Sequence, residues 1–261
     1  MAAREYSAGD LPDYLRIVDD IWLRWSENSE GIPNIWFRGQ GDAQWPLLPT
    51  IYRTPYADVD EDRYRHEFSL RARPFLDEAT TAPKDDWDWY FLMQHYGVPT
   101  RLLDWTESAL AALYFAVLPT LADVPACVWV LQPDELNRLN ANRADFVPIY
   151  SDAWAAPYLP ALWAENCPLP EYPMALDPPH NSRRITAQRG KFVVFGSSRA
   201  PINLVGEMAP YLLRIDIPTE RKPPLRRQLL TAGIFESVLF PGLQGLGREI
   251  RELWSTEISV D

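Results

Sequence analysis

Apolar positions first recur at helical spacing over residues 11–25, where Leu11, Tyr14, Leu15, Val18, Ile21, Trp22 and Trp25 fall on one face. Asp10 is placed to cap this helix. Pro12 lies in its first turn, where a missing N–H costs nothing, and Gly31 and Pro33 end it. Ile35, Trp36 and Phe37 then predict a short dense strand that stops at Arg38 and Gly39. A second helix is expected over residues 61–78, carrying Tyr64, Phe68, Leu70 and Phe75 and kinked or divided by Pro74. A third covers 85–96, with Asp85, Asp86 and Asp88 where the helix dipole favours acids and Gly97 and Pro99 closing it. After an extended piece at 101–103, residues 107–118 read as a helix that is apolar nearly all round and belongs in the interior.

From Ala126 the pattern turns to short β-rich runs at 126–131, 190–195 and 211–217. The Pro-, Ala- and Trp-rich stretch 144–181 between them reads as a long ordered loop with one helical stretch around 160–165. Further helices are expected at 224–232, ended by Gly233, and at 243–254. No repeat or linker interrupts the pattern. It predicts an α+β fold, a single domain over residues 1–261 with a small, mostly antiparallel sheet flanked by helices. The helix at 10–27 packs on a motif-bearing region of about 35–250.

Charge narrows the classes of partner. Twenty-five Lys and Arg against 36 Asp and Glu give a net charge of −11, a field that does not draw nucleic acid or anionic lipid. The departure is the stretch 181–201, which holds Arg183, Arg184, Arg189, Lys191 and Arg199 with no acid among them. The longest apolar run, 109–118, is far short of the roughly 18 residues of a spanning helix, and the start MAAREYSAGD has no signal-peptide core. A cytoplasmic chain without a membrane partner is expected. Cys127 and Cys167 alone make neither a disulfide framework nor a zinc site and read as reduced thiols. Phosphate-loop, dinucleotide-fold, serine-elbow and zinc-hydrolase signatures are missing, and His66, His95 and His180 have no ligand companions at helical spacing, so no metal is expected.

Three clusters could carry chemistry. In Trp36-Phe37-Arg38-Gly39-Gln40 a fixed cation stands beside a glycine that lets a ligand approach the backbone; alternatively Arg38 pairs with a nearby acid. In Gln94-His95-Tyr96-Gly97-Val98-Pro99-Thr100-Arg101-Leu102-Leu103-Asp104-Trp105-Thr106, polar groups crowd a tight turn between apolar segments and must be paired or aimed at a ligand. The plainer alternative there is an Arg101–Asp104 ion pair with Thr106 capping the next helix and His95 in the core. In 233–241, Glu236 is either an exposed residue or a carboxylate facing a cleft.

Taken together, Phe-Arg-Gly-Gln, then Gln-His-Tyr-Gly-x-Pro-Thr-Arg-Leu-Leu-Asp-Trp-Thr followed by Ala-Leu-Tyr-Phe-Ala, resembles the FRG-domain family, and Gln188 to Phe192 and 233–243 resemble its later motifs. Arg189, before Gly190, and Gly242 depart from that pattern, where a second glutamine and an aspartate are commoner. The resemblance implies a distant ADP-ribosyltransferase-like layout in a bacterial or phage-associated protein, a toxin or phage-defence effector. On that layout Arg38 anchors NAD, Thr106 in Asp104-Trp105-Thr106 fills the second motif, and Glu236 is the carboxylate that stabilises a cationic ribose. Gly39, Gln40, His95, Tyr96, Thr100, Arg101, Asp104, Trp105 and Gln188 join Arg38 around the NAD substrate. The acceptor of ADP-ribose is left open between protein, nucleic acid and water, and an antitoxin or defence-system partner is implied. A binding module using the same pocket without chemistry, and a nuclease or hydrolase built on His95 and Asp104, are the alternatives. The transferase layout requires Arg38, Thr106 and Glu236 to converge on one cleft.

Overall fold

A computed structural model describes residues 6–27, 32–57, 59–76, 83–121, 123–139, 147–151, 153–159, 168–179 and 182–254. The strands are β1 (Tyr6–Ser7), β2 (Trp36–Gln40), β3 (Leu102–Thr106), β4 (Ala126–Leu131), β5 (Met174–Leu176), β6 (Gly190–Val194) and β7 (Leu212–Ile217). They form one sheet in the order β1-β7-β4-β2-β3-β6-β5, with β1 parallel to β7 and the other pairs antiparallel. The fold is α+β with a seven-stranded mixed open sheet. It is larger than expected because β1 and β5, two and three residues long, extend either edge.

The helices among the described residues are α1 (Leu11–Ser26), α2 (Glu61–Ala72), α3 (Asp86–His95), α4 (Ala109–Ala116), α5 (Pro133–Leu139), α6 (Arg183–Gln188), α7 (Lys222–Thr231), α8 (Glu236–Leu239) and α9 (Leu243–Trp254). Asp10 caps α1 by accepting from the amide of Asp13, and Asp85 caps α3 by accepting from Asp88. Gly97 and Gly233, at φ 77° and 84°, end α3 and α7 in the left-handed region that glycine tolerates. None of these helices is long and apolar enough to cross a membrane.

Four expectations change. The first apolar strand does not stop at Arg38: β2 runs on through Gln40, pairing with β4 along its whole length. The extended piece before α4 reaches Thr106, because β6 offers it a partner at every residue. Thr106 does not cap α4. Ser108 does, its hydroxyl accepting from the amide of Ala111. Finally, α2 ends at Ala72, where Pro74 enters a single 3₁₀ turn over Arg73–Phe75. The helical stretch expected at 160–165 lies outside the described residues.

Strand alternation divides the core. On one face Phe37, Val128, Val130, Leu213 and Ile215 lie under α1, α4 and α7. On the same face Leu102, Phe192, Val194 and Leu176 lie under α3 and α6. The opposite face carries Trp36, Leu103, Trp105, Trp129 and Val193. β2 and β3 share a single registered pair, Phe37 with Thr106, so the two helical blocks meet over the weakest seam of the sheet.

Candidate functional site

A small cleft, open to solvent, lies beside this seam between α3, β3, α6 and β6. It is lined by Gln94, His95, Asp104, Trp105, Arg184, Gln188 and Lys191 together with apolar Phe91, Ile185 and Phe192. Asp104 presents the exposed carboxylate, its side chain 59% accessible in the middle of an otherwise buried strand. Gln94 Nε2 donates to Asp104 Oδ2 at 2.9 Å, and Thr100 Oγ1 donates to Gln94 Oε1 at 2.5 Å, so the carboxylate is oriented by a chain of neutral hydrogen bonds.

Two arginines attend it. Arg38 reaches from β2 across the seam to donate to the Asp104 carbonyl at 2.5 Å, with its guanidinium 3.9 Å from Asp104 Oδ2. Burial pulls the Arg38 pKa down to about 10 against the opposing pull of Asp104, yet the group stays charged at neutral pH. Arg38 Nε is buried without an acceptor, as are Gln40 Nε2, Trp36 Nε1 and Trp105 Nε1. Trp36, Arg38 and Gln40 alternate onto one face of β2, so these are unmatched donors clustered on adjacent strands. Arg184 is likewise held down by burial; Asp104 supports its charge most, Arg248 opposes it and Glu236 supports it.

Several expected site residues are committed to the fold instead. Gly39 receives α4 rather than a ligand: a Cβ there would sit 1.9 Å from the Ala112 carbonyl oxygen. Gln40 Oε1 accepts from Trp129 Nε1 at 2.7 Å. Tyr96 is 60% exposed and turns its ring against the edge of His95. Trp105 points into the opposite layer. Thr106 Oγ1 donates to the Gln188 carbonyl at 2.5 Å and accepts from the Ser108 amide, while Gln188 Nε2 donates to the Leu239 carbonyl at 3.0 Å. The expected Arg101–Asp104 ion pair does not form. Arg101 is buried and bonds Glu61 of α2 through Nε at 2.5 Å, because Glu61 lies beneath the strand while Asp104 points away into the cleft.

Glu236 opens α8 rather than standing on a strand. Its Oε2 accepts from the Tyr114 hydroxyl and its Oε1 from Arg248 Nε at 2.6 Å, so both oxygens are engaged. The structure therefore brings Arg38 and Asp104 together, gives Thr106 a backbone-bracing role and engages Glu236 with Tyr114 and Arg248, so that none of Arg38, Thr106 and Glu236 lines the cleft on which the transferase layout would have them converge. Sequence reasoning did not single out Arg184 as a site residue. The acid-free stretch 181–201 was its signal.

Residues 33–123 match the family model of the FRG domain. No curated protein and no solved structure matches it. The FRG match takes in β2, α2, α3, β3 and α4, and with them Arg38, Gln94, His95 and Asp104. Arg184, Lys191 and Glu236 approach this FRG segment from later in the chain. Lys191 contributes little free charge to the cleft, since its ammonium pairs with Asp177 at 2.6 Å and Glu107 at 3.1 Å.

His95 gives the FRG segment a pH signature. Burial, and then the neighbouring Arg184 charge, lower its pKa below the usual value. The folded state thus binds its proton less well than the unfolded chain. Its share of stability is fully present above the unfolded value near 6.5 and is lost as pH falls below it. An NMR titration is expected to place His95 below about 6.5. Arg184→Gln should raise the midpoint only part of the way, because burial is the larger cause. A midpoint at or above the free value would refute this environment.

Proposed function

We propose that the cleft binds NAD and that the protein cleaves its nicotinamide–ribose bond, as an ADP-ribosyltransferase or NAD glycohydrolase, with Asp104 as the carboxylate at the reacting centre. One observation carries the assignment of Asp104. Its carboxylate is exposed in the cleft and oriented by Gln94 through one oxygen, whereas both oxygens of Glu236 are engaged by Tyr114 and Arg248. The residues present suit NAD, whose pyrophosphate is an acceptor-rich anion. Arg184 is a partly desolvated cation on the cleft wall, and Arg38 reaches the Asp104 carbonyl from the neighbouring strand.

Breaking the glycosidic bond releases nicotinamide and develops positive charge on the ribose. A carboxylate fixed beside that charge stabilises the transition state more than the ground state. The apolar wall of Phe91, Ile185 and Phe192 offers a flat ring a surface that excludes water. The ADP-ribosyl acceptor is a protein, a nucleic acid or water, and a toxin or defence role with a neutralising partner accords with this chemistry.

The test is nicotinamide release from NAD by the purified chain. Asp104→Asn should lower the rate by about 100-fold or more, the scale of one transition-state electrostatic contact, while Glu236→Gln should stay within about tenfold of the parent. Loss in Glu236→Gln with activity kept in Asp104→Asn would move the chemistry to Glu236. NAD binding by calorimetry without release would leave a nucleotide-binding module in its place.

A further inference from the structure

The last helix is amphipathic the wrong way round. Its polar side faces the body of the protein: Arg248 donates to Glu236, Glu249 accepts from the Ser237 amide at 3.1 Å, and Glu252 pairs with Arg226 at 2.6 Å. Gly245 sits on the same side, so close to the Phe240 carbonyl that a Cβ would lie 2.0 Å from its oxygen. The apolar side faces solvent, with Leu243 88%, Leu246 42%, Ile250 50%, Leu253 42% and Trp254 83% accessible. A soluble helix ordinarily does the reverse, and an apolar stripe this continuous marks a contact surface.

Spacing identifies the occupant. Leu243, Leu246, Ile250 and Leu253 follow the 3-4-3 order of alternating a and d positions, the pattern by which one helix seats against another like itself. These side chains with Trp254 expose on the order of 600 Å² per copy, so two copies would bury about 1,200 Å², the lower bound of a stable interface. A lipid surface fits poorly. The helix has no lysine, three of its four charged residues are turned inward, and the chain carries a net charge of −11. We propose that α9 is the seam of a homodimer in which the Leu243–Leu246–Ile250–Leu253 stripes of two copies interdigitate about a twofold axis. This proposal is independent of the nucleotide reading.

Light scattering and sedimentation of the full chain should return a dimer, twice 30.0 kDa. The double substitution Leu246→Glu with Ile250→Glu should give a monomer with unchanged circular dichroism, since both positions are exposed in the single chain, and a melting temperature that no longer depends on protein concentration. Should that variant fail to fold, Leu243→Ser, at the most exposed position of the stripe, is expected to weaken the dimer about tenfold. A parent chain that stays monomeric overturns the proposal, as does a dimer that survives every folded variant. A monomer that pellets with phosphatidylglycerol vesicles overturns it in favour of a lipid surface.

Discussion

Replacing Glu61 by alanine is expected to destabilise the fold by about 3–5 kcal/mol, the scale of stranding one partner of a buried ion pair. Glu61 and Arg101 are 6% and 3% accessible. The carboxylate accepts from Arg101 Nε at 2.5 Å, from the Arg101 amide at 3.0 Å and from the Tyr90 hydroxyl. The same guanidinium donates to the carbonyls of Phe195 at 2.6 Å and Tyr158 at 2.5 Å. One arginine thus joins α2, α3, β3 and the end of β6. Burial alone would lower its pKa, and Tyr90 and Glu61 outweigh it, leaving the pKa raised. Without Glu61 the cation remains in the interior with neutral acceptors only. Stability of a domain is about 5–15 kcal/mol, so the loss is a large part of the whole. Urea unfolding checks it, with Asp62→Ala as the control. Asp62 pairs with Arg65 at the surface, and its removal should change stability by less than about 1 kcal/mol. Equal effects of the two substitutions would show that water reaches Arg101.

Gly39→Ala should be about as severe, on the order of 3 kcal/mol or more, for a purely steric reason. The added Cβ would lie 1.9 Å from the Ala112 carbonyl oxygen and 2.7 Å from the Ala116 amide nitrogen, both of them helix backbone. No rotamer relieves that contact. Helix α4 would have to withdraw from β2, and Ala112, Leu113, Tyr114 and Ala116 are fully buried under it. Because β2 also holds Arg38, a displaced α4 should disturb the cleft as well as the melting temperature. Gly206→Ala is the control, since its Cβ meets nothing within 4 Å and should leave the melt essentially unchanged. A Gly39→Ala chain that melts with the parent would show that α4 and β2 separate freely.

The elements legible in the sequence are those whose signals are local. α1, α3, α7 and α9 announce themselves by periodicity over ten to sixteen residues and by Asp10, Asp85, Gly97 and Gly233 at their ends. α5, α6 and α8, of seven, six and four residues, are too short to show a period. β1 and β5 form only because β7 and β6 present open edges to them. In the site, the Gln94-to-Asp104 motif was visible as crowded polar residues at a turn, and three of its side chains, Gln94, Thr100 and Asp104, do form one chain.

The sequence by itself therefore determined the fold class, the terminal signals of the longer helices and the segments that hold the cleft. Each depends on residues within a turn or two of one another. Tertiary structure decided which charge meets which. Arg101 found Glu61, 40 residues away, rather than Asp104, three positions on. Glu236 was engaged by Tyr114, 122 residues earlier, which leaves Asp104 as the open carboxylate of the cleft. The physical reason is that an ion pair in a low-dielectric interior is chosen by where packing sets its two ends, and the separation of those ends along the chain carries no record of it.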